Sequence, residues 1–182
     1  LSRGLGDVYK RQVKAIDNFQ KVIGHRENIL FLKKLKAMPF VHSIIFYGKK
    51  GIGKRTIALI FAQYLNCVNK EFAPCGECHN CQAIAELEYP YLEIVFPGLE
   101  NLKEVKDDEK YEEIIEKRSQ YRLFEIRPET SKKDSIAIDL IREIKEKIRM
   151  KVSDYRLFLI LDAERMTQEA RNAFLKTLEE PT

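Results

Sequence analysis

The chain has 182 residues, 45% of them hydrophobic and 33% charged, with a formal net charge of +4. That length allows one well-developed hydrophobic core, and the composition excludes a disordered tail, a collagen-like rod and a disulfide mini-protein. No apolar run approaches the ~18 residues of a membrane span, and the N-terminus shows no apolar region suited to a secretory signal, so the expectation is a cytoplasmic enzyme or assembly subunit with no membrane partner.

The first twelve residues, Leu1 to Gln12, show neither helical nor strand periodicity, and they are set apart as a non-native leader. The domain is expected over 13–182. Charge is uneven along it. Residues 1–60 carry 13 Lys/Arg against 3 Asp/Glu, whereas the other 122 carry 19 against 25. A basic N-terminal third suits a phosphate ligand or nucleic acid, although an uneven solvated surface would look the same.

Ile29, Leu30, Leu32 and Leu35 recur at helical spacing, with Lys33, Lys34 and Lys36 on the opposite face. The apolar run Ile44-Ile45-Phe46-Tyr47 then reads as a buried parallel strand feeding a glycine-rich loop. Thr56 to Cys67 is predicted helical, its stripe being Ile57, Ile60, Phe61, Tyr64 and Leu65. Leu92 to Phe96 is a second strand, stopped by Pro97. In residues 100–118, 13 of 19 are charged. There Leu102, Val105, Ile114 and Ile115 offer a weak helical stripe, and a solvated excursion fits equally. A helix opens at Asp139 with Leu140, Ile141, Ile144 and Ile148 inward, Leu157 to Leu161 is a third strand, and Gln168 to Glu180 is a further helix. Strands alternating with helices indicate an α/β fold with a mainly parallel sheet flanked by helices. Because such sheets usually continue, the chain is expected to stop, at Pro181-Thr182, before the domain does.

Gly48-Lys49-Lys50-Gly51-Ile52-Gly53-Lys54 stands between a strand and a helix and matches the G-x-x-x-x-G-K core of a P-loop. Gly48, Gly51 and Gly53 would let backbone N–H groups close round phosphate oxygens at a helix N-terminus, and Lys54 would reach the β- and γ-phosphates. The next position should supply a hydroxyl to Mg²⁺ and holds Arg55 instead. A guanidinium pairs with phosphate but cannot ligate a metal. Thr56 lies one residue on, about 100° round the helix, and does not substitute directly. Asp162 ends an apolar strand in the Walker B manner, where it would hold Mg²⁺ through water. The position after it, which carries a catalytic glutamate in many such ATPases, is Ala163. Phosphate binding at Gly48, Gly51, Gly53, Lys54, Arg55, Thr56 and Asp162 is therefore compatible with the sequence, while Mg·ATP hydrolysis is not expected, and no catalytic residue is assigned.

All 4 cysteines, Cys67, Cys75, Cys78 and Cys81, fall in one C-x7-C-x2-C-x2-C segment. Each C-x2-C step lets two thiolates face one tetrahedral ion, and Cys67 at a helix end supplies the fourth. The alternative is a pair of disulfides, which a chain without a secretory signal argues against. The expectation is a structural zinc module over 67–81 with no open coordination position. His79, between two ligands, is assigned to the surface.

These pieces in this order resemble the bacterial DNA polymerase III clamp-loader subunits of the AAA+ class. The residues carrying the resemblance are Ile23-Gly24-His25, Gly48 to Lys54, Leu65-Asn66-Cys67, Pro74-Cys75-Gly76-Glu77-Cys78-His79-Asn80-Cys81, Ile138-Asp139-Leu140-Ile141-Arg142-Glu143 and Leu175-Lys176-Thr177-Leu178-Glu179-Glu180-Pro181. The resemblance implies an AAA+ P-loop domain with an inserted zinc module and, near 99–133, a charged insertion. It also implies a hetero-oligomeric ring whose partners are the gamma/tau and delta subunits, with the sliding clamp and primer–template DNA reached through the complex. Two subunit types in that family carry the cysteine module. The gamma/tau motor keeps its catalytic residues, whereas delta-prime often has a worn P-loop. Arg55 and Asp162-Ala163 align the chain with delta-prime, a non-hydrolysing stator, and the alternative is a gamma/tau-like motor ATPase. Any polymerase activity would belong to the holoenzyme alone, and no arginine finger can be assigned within these residues.

Overall fold

The computed structural model describes residues 18–38, 41–101, 105–125, 131 and 133–179. The leader at 1–12, Leu102 of the charged stripe, part of the 99–133 insertion and the last residues, 180–182, lie outside the described residues.

Gly24 and His25 turn the chain at positive φ (79° and 56°) into α1, Arg26–Leu35, which buries Leu32 and Leu35. Helix α2, Lys54–Asn66, starts at Gly53 and buries Ile57, Leu59, Ile60, Phe61 and Leu65. A short α3, His79–Ala85, buries Cys81 and Ile84. Strand β1, Leu92–Val95, is followed by α4, Asp108–Ser119, and α5, Ile138–Ile148. Strand β2, Leu157–Ile160, and α6, Gln168–Glu179, complete the described chain.

The strands pair in parallel, with Leu92 opposite Leu157 and Val95 opposite Ile160. Side-chain alternation sorts their residues onto two faces. Leu92, Ile94, Leu157 and Leu159 join a core with α1, α2 and α3, built on Phe19, Ile60, Phe61 and Ile84. Val95, Phe158 and Ile160 join the opposite core with Ile141, Ile144, Met166 and Ala170 of α5, α6 and their approaches. The sheet is thus covered by helices on both faces, which is why its strands read as continuous apolar runs.

The helices expected at 29–35, 56–67, 139–148 and 168–180 form with ends shifted by a few residues, and the strands at 92–96 and 157–161 form over four residues each. The first expected strand does not. Ile44-Ile45-Phe46-Tyr47 makes no ladder among the described residues, and Ile45 and Tyr47 are 86% and 92% exposed. An apolar tetrapeptide becomes a strand only beside a neighbour that takes up its backbone N–H and C=O groups. The pairing partners of β1 and β2 are each other.

The charged stretch resolves the other way. Asp107 caps α4 by accepting from Lys110 N at 3.0 Å, and acidic and basic residues sit at the helix ends that their charge favours. Its single buried residue is Ile114, so this helix is solvated along most of its surface. The segment after it is not. Tyr121 is buried and stacks on Phe96 with ring centroids 4.4 Å apart, and Leu123 N donates to the Ala85 carbonyl at 2.9 Å.

Candidate metal and phosphate sites

Helix α2 holds both candidate sites, one at each end. At its C-terminal end Cys67 is the C-cap, and Cys81 follows in the first turn of α3. The Sγ atoms of Cys67, Cys75, Cys78 and Cys81 all lie within 4.8 Å of one another. Cys67 Sγ is 3.6 Å from that of Cys75 and 3.9 Å from that of Cys78. A tetrahedron of thiolates with Zn–S bonds of ~2.3 Å has edges of ~3.8 Å, so the donor set and its spacing fit zinc. The sulfurs are too far apart for S–S bonds of ~2.05 Å, and all 4 cysteines are free, which removes the disulfide alternative.

The local electrostatics favour a cation. Burial pushes the Cys67 thiol above its ordinary value, and burial also drives Cys81 well upward. Burial opposes the Cys78 thiolate too, but N–H groups of Cys81 and Val68 and the thiols of Cys81 and Cys75 donate to it and bring its pKa to about 7. Four thiolates this close are stable together only when positive charge offsets their desolvation and repulsion, which a divalent ion supplies. His79 is exposed at the start of α3 and outside the sulfur cluster.

A buried polar network fixes this end of α2. Gln63 accepts from Asn18 Nδ2 at 2.9 Å and donates to the Cys81 carbonyl at 2.7 Å. Asn18 N donates to the Pro74 carbonyl at 2.9 Å. Asn66 Oδ1 accepts from Tyr155 N at 3.0 Å and the Tyr89 hydroxyl at 3.3 Å, its Nδ2 donates to the Tyr155 carbonyl at 3.2 Å, and its own carbonyl accepts from Asn80 at 2.8 Å. Gly76, at φ 74°, has no room for a side chain, since a Cβ there would meet Asn18 Nδ2 at 2.6 Å. Lys36 reaches the Tyr64 carbonyl at 3.3 Å, a cation on the last turn of the helix.

The opposite end is open. Gly48, Gly51 and Gly53 have φ of 142°, 84° and 91°, and a Cβ on Gly51 or Gly53 would meet nothing within 4 Å. These glycines serve backbone conformation rather than close packing. Lys54 Nζ folds back to donate to the Gly48 carbonyl at 2.8 Å and the Lys49 carbonyl at 3.0 Å. His25 Nε2 lies 3.1 Å from the Ile52 carbonyl and donates to it. Arg55 reaches a segment distant in sequence. Its Nη2 donates to the Glu125 carbonyl and its guanidinium carbon lies 5.8 Å from the centre of the Tyr121 ring. Thr56 follows within the first turn, and Asp162 sits one residue beyond Leu161, which follows β2, at φ 49° and ahead of a 3-10 turn over Ala163–Arg165.

Motif reading had no access to Gln63, Asn66 and Asn18, because a lone Asn or Gln carries no spacing signal. The only sequence hint was Asn66 beside Cys67. The partnership of Arg55 with residues 121 and 125 has no sequence signal at all. Among the described residues, no helix is long and apolar enough to cross a membrane.

A family model described as "DNA polymerase III, delta subunit" matches residues 25–182. Similar curated proteins include the DNA polymerase III subunit tau/gamma of Haemophilus influenzae, 30% identical over 167 residues, which are 90% of this chain and 19% of that protein. The DNA polymerase III subunit delta' of Bacillus subtilis is 29% identical over 140 residues, 77% of this chain and 33% of that protein. The subunit tau of Bacillus subtilis is 27% identical over 172 residues, 90% of this chain and 23% of that protein. The chain spans between about a fifth and a third of the length of these relatives.

Proposed function

The chain belongs to the DNA polymerase III, delta subunit family, and we propose that it serves as a delta-prime-like subunit of the bacterial replicative clamp loader. In this role it is a non-hydrolysing stator that supports ATP-driven loading of the sliding clamp onto primed DNA in DNA replication. The observation that carries the reading is Arg55. It stands where a metal-ligating hydroxyl is needed, and its guanidinium is engaged by Glu125 and Tyr121 instead of facing the glycine loop. Ala163 after Asp162 supports it, because a methyl group cannot polarise an attacking water.

On this reading, residues 13–182 belong to an AAA+ P-loop domain. Gly48, Gly51, Gly53, Lys54, Thr56 and Asp162 are a degenerate nucleotide site, and Arg55 occupies the position of its absent metal-ligating hydroxyl. Cys67, Cys75, Cys78 and Cys81 hold zinc as a structural ion, which supplies positive charge to four clustered thiolates, three of them buried, and does no chemistry. The partners are gamma/tau and delta subunits, with clamp and primer–template DNA met through the ring in the cytoplasm.

The second reading, a gamma/tau-like motor ATPase, is favoured by the 30% identity to a tau/gamma subunit across 90% of the chain. Equilibrium ATP binding and steady-state hydrolysis by the full-length protein, with and without Mg²⁺, separate the two. The stator gives no turnover and no Mg²⁺-dependent gain in affinity. Tight Mg²⁺-dependent binding, with turnover that Lys54→Ala abolishes, establishes the motor.

A further inference from the structure

Residues Tyr121 to Glu125 form a strap that touches three parts of the fold. Tyr121, 1% exposed, stacks on Phe96 just past β1. Leu123 N donates to the Ala85 carbonyl, and Arg122 Nε lies 3.0 Å from Glu86 Oε2, both at the end of α3. The third contact is Arg55, from the first turn of α2. Upstream, Arg118 donates to the Leu87 carbonyl at 2.8 Å, so the root of the charged helix α4 is held as well.

We infer that Arg55 is a positioning residue that clasps the strap 121–125 to the first turn of α2, leaving phosphate recognition at the neighbouring loop to Lys54 and backbone N–H groups. Two chemical features support this. A planar guanidinium can sit over an aromatic ring and donate from its edge at once, and Arg55 lies 5.8 Å from the Tyr121 ring centre while its Nη2 donates to the Glu125 carbonyl. The Tyr121 ring and the Glu125 carbonyl carry no net charge, and a phosphate ligand would have to displace the guanidinium from both before using the same group. The inference goes beyond the proposed role in the clamp loader and holds whether or not nucleotide binds.

The test is amide hydrogen exchange on the full-length, zinc-loaded protein, read alongside affinity for ATP without Mg²⁺ and for inorganic tripolyphosphate. Arg55→Ala should speed exchange at residues 121–125 by tenfold or more, including the Leu123 amide. It should leave the Leu161 amide, which donates to the Val95 carbonyl across the sheet, unchanged. Arg55→Lys, with the charge but not the plane, should loosen the strap in the same way. Anion affinity in both variants should stay within twofold of the parent. Unchanged exchange at 121–125 in Arg55→Ala overturns the inference. So does full rescue of the strap by lysine, or a tenfold loss of anion affinity in Arg55→Ala, which would make Arg55 a phosphate ligand.

Discussion

The two ends of α2 are built in opposite ways. At the C-terminal end, Gln63, Asn66 and Cys67 are all buried and tied to the N-terminal segment, the cysteine module and the approach to β2. At the N-terminal end, the loop 48–54 is largely exposed, Lys54 donates to the loop's own carbonyls, and a Cβ on Gly51 or Gly53 would meet nothing within 4 Å. One end is specified by many simultaneous contacts and the other by backbone conformation. The cysteine module is therefore tied into the fold at many points, whereas the loop is held by few contacts. Arg55, directly after that loop, reaches a segment far along the chain, with its guanidinium on the Glu125 carbonyl and near the Tyr121 ring.

If this contrast is right, damage to the two ends differs in size. The largest effect should come from the metal. Cys81→Ser, or a strong chelator, should abolish stoichiometric zinc and lower the apparent melting temperature by about 10 °C or more, since structural zinc contributes folding free energy directly. Metal analysis and circular dichroism read both. A chain that keeps its melting temperature without metal would break the comparison.

Asn66→Ala should follow, at about 2 kcal/mol in urea unfolding of the zinc-loaded protein, because it removes the buried amide that bonds Tyr155 N and O and the Tyr89 hydroxyl. A loss below about 1 kcal/mol would show that water takes over those bonds.

Tyr89→Phe sharpens the same point through pH. Burial, with the Asp154 carboxylate 3.3 Å from the hydroxyl, pushes the Tyr89 pKa from 10.0 up to about 12. A group raised in the fold stabilises fully below its unfolded value and loses that contribution as pH rises through the folded one. The parent should thus lose about 2 kcal/mol between pH 10 and pH 12, and Tyr89→Phe should flatten that decline after costing about 1 kcal/mol at neutral pH. An unchanged alkaline limb in the variant would assign the loss to other groups.

The smallest effect belongs to the loop. Lys54→Ala should leave stability within about 0.5 kcal/mol, because its Nζ serves only exposed carbonyls. A cost above about 1 kcal/mol would show that the loop helps to hold α2 in place.

Much of this was legible from the chain. The four cysteines lie within 15 consecutive residues, so their spacing already offered one shared ion or two disulfides, and the fold, with every sulfur within 4.8 Å of the others and none bonded, fits the ion. The amphipathic helices and the paired strands followed from periodicity, since a helix makes its hydrogen bonds within itself and shows its buried face in every turn. Tertiary structure decided the rest. Ile44-Ile45-Phe46-Tyr47 carries the composition of a buried strand yet forms none among the described residues, because a strand's hydrogen bonds are made with a neighbour and not with itself. The charged stretch left a weak helical stripe and a solvated excursion equally open, and beyond it Tyr121 and Leu123 close the chain into the core across a separation that no local pattern records. Arg55 read as a defect in a phosphate loop. Its partner, 70 residues away, makes it a contact of the fold, and such a pairing exists only once the chain has brought both residues to the same place.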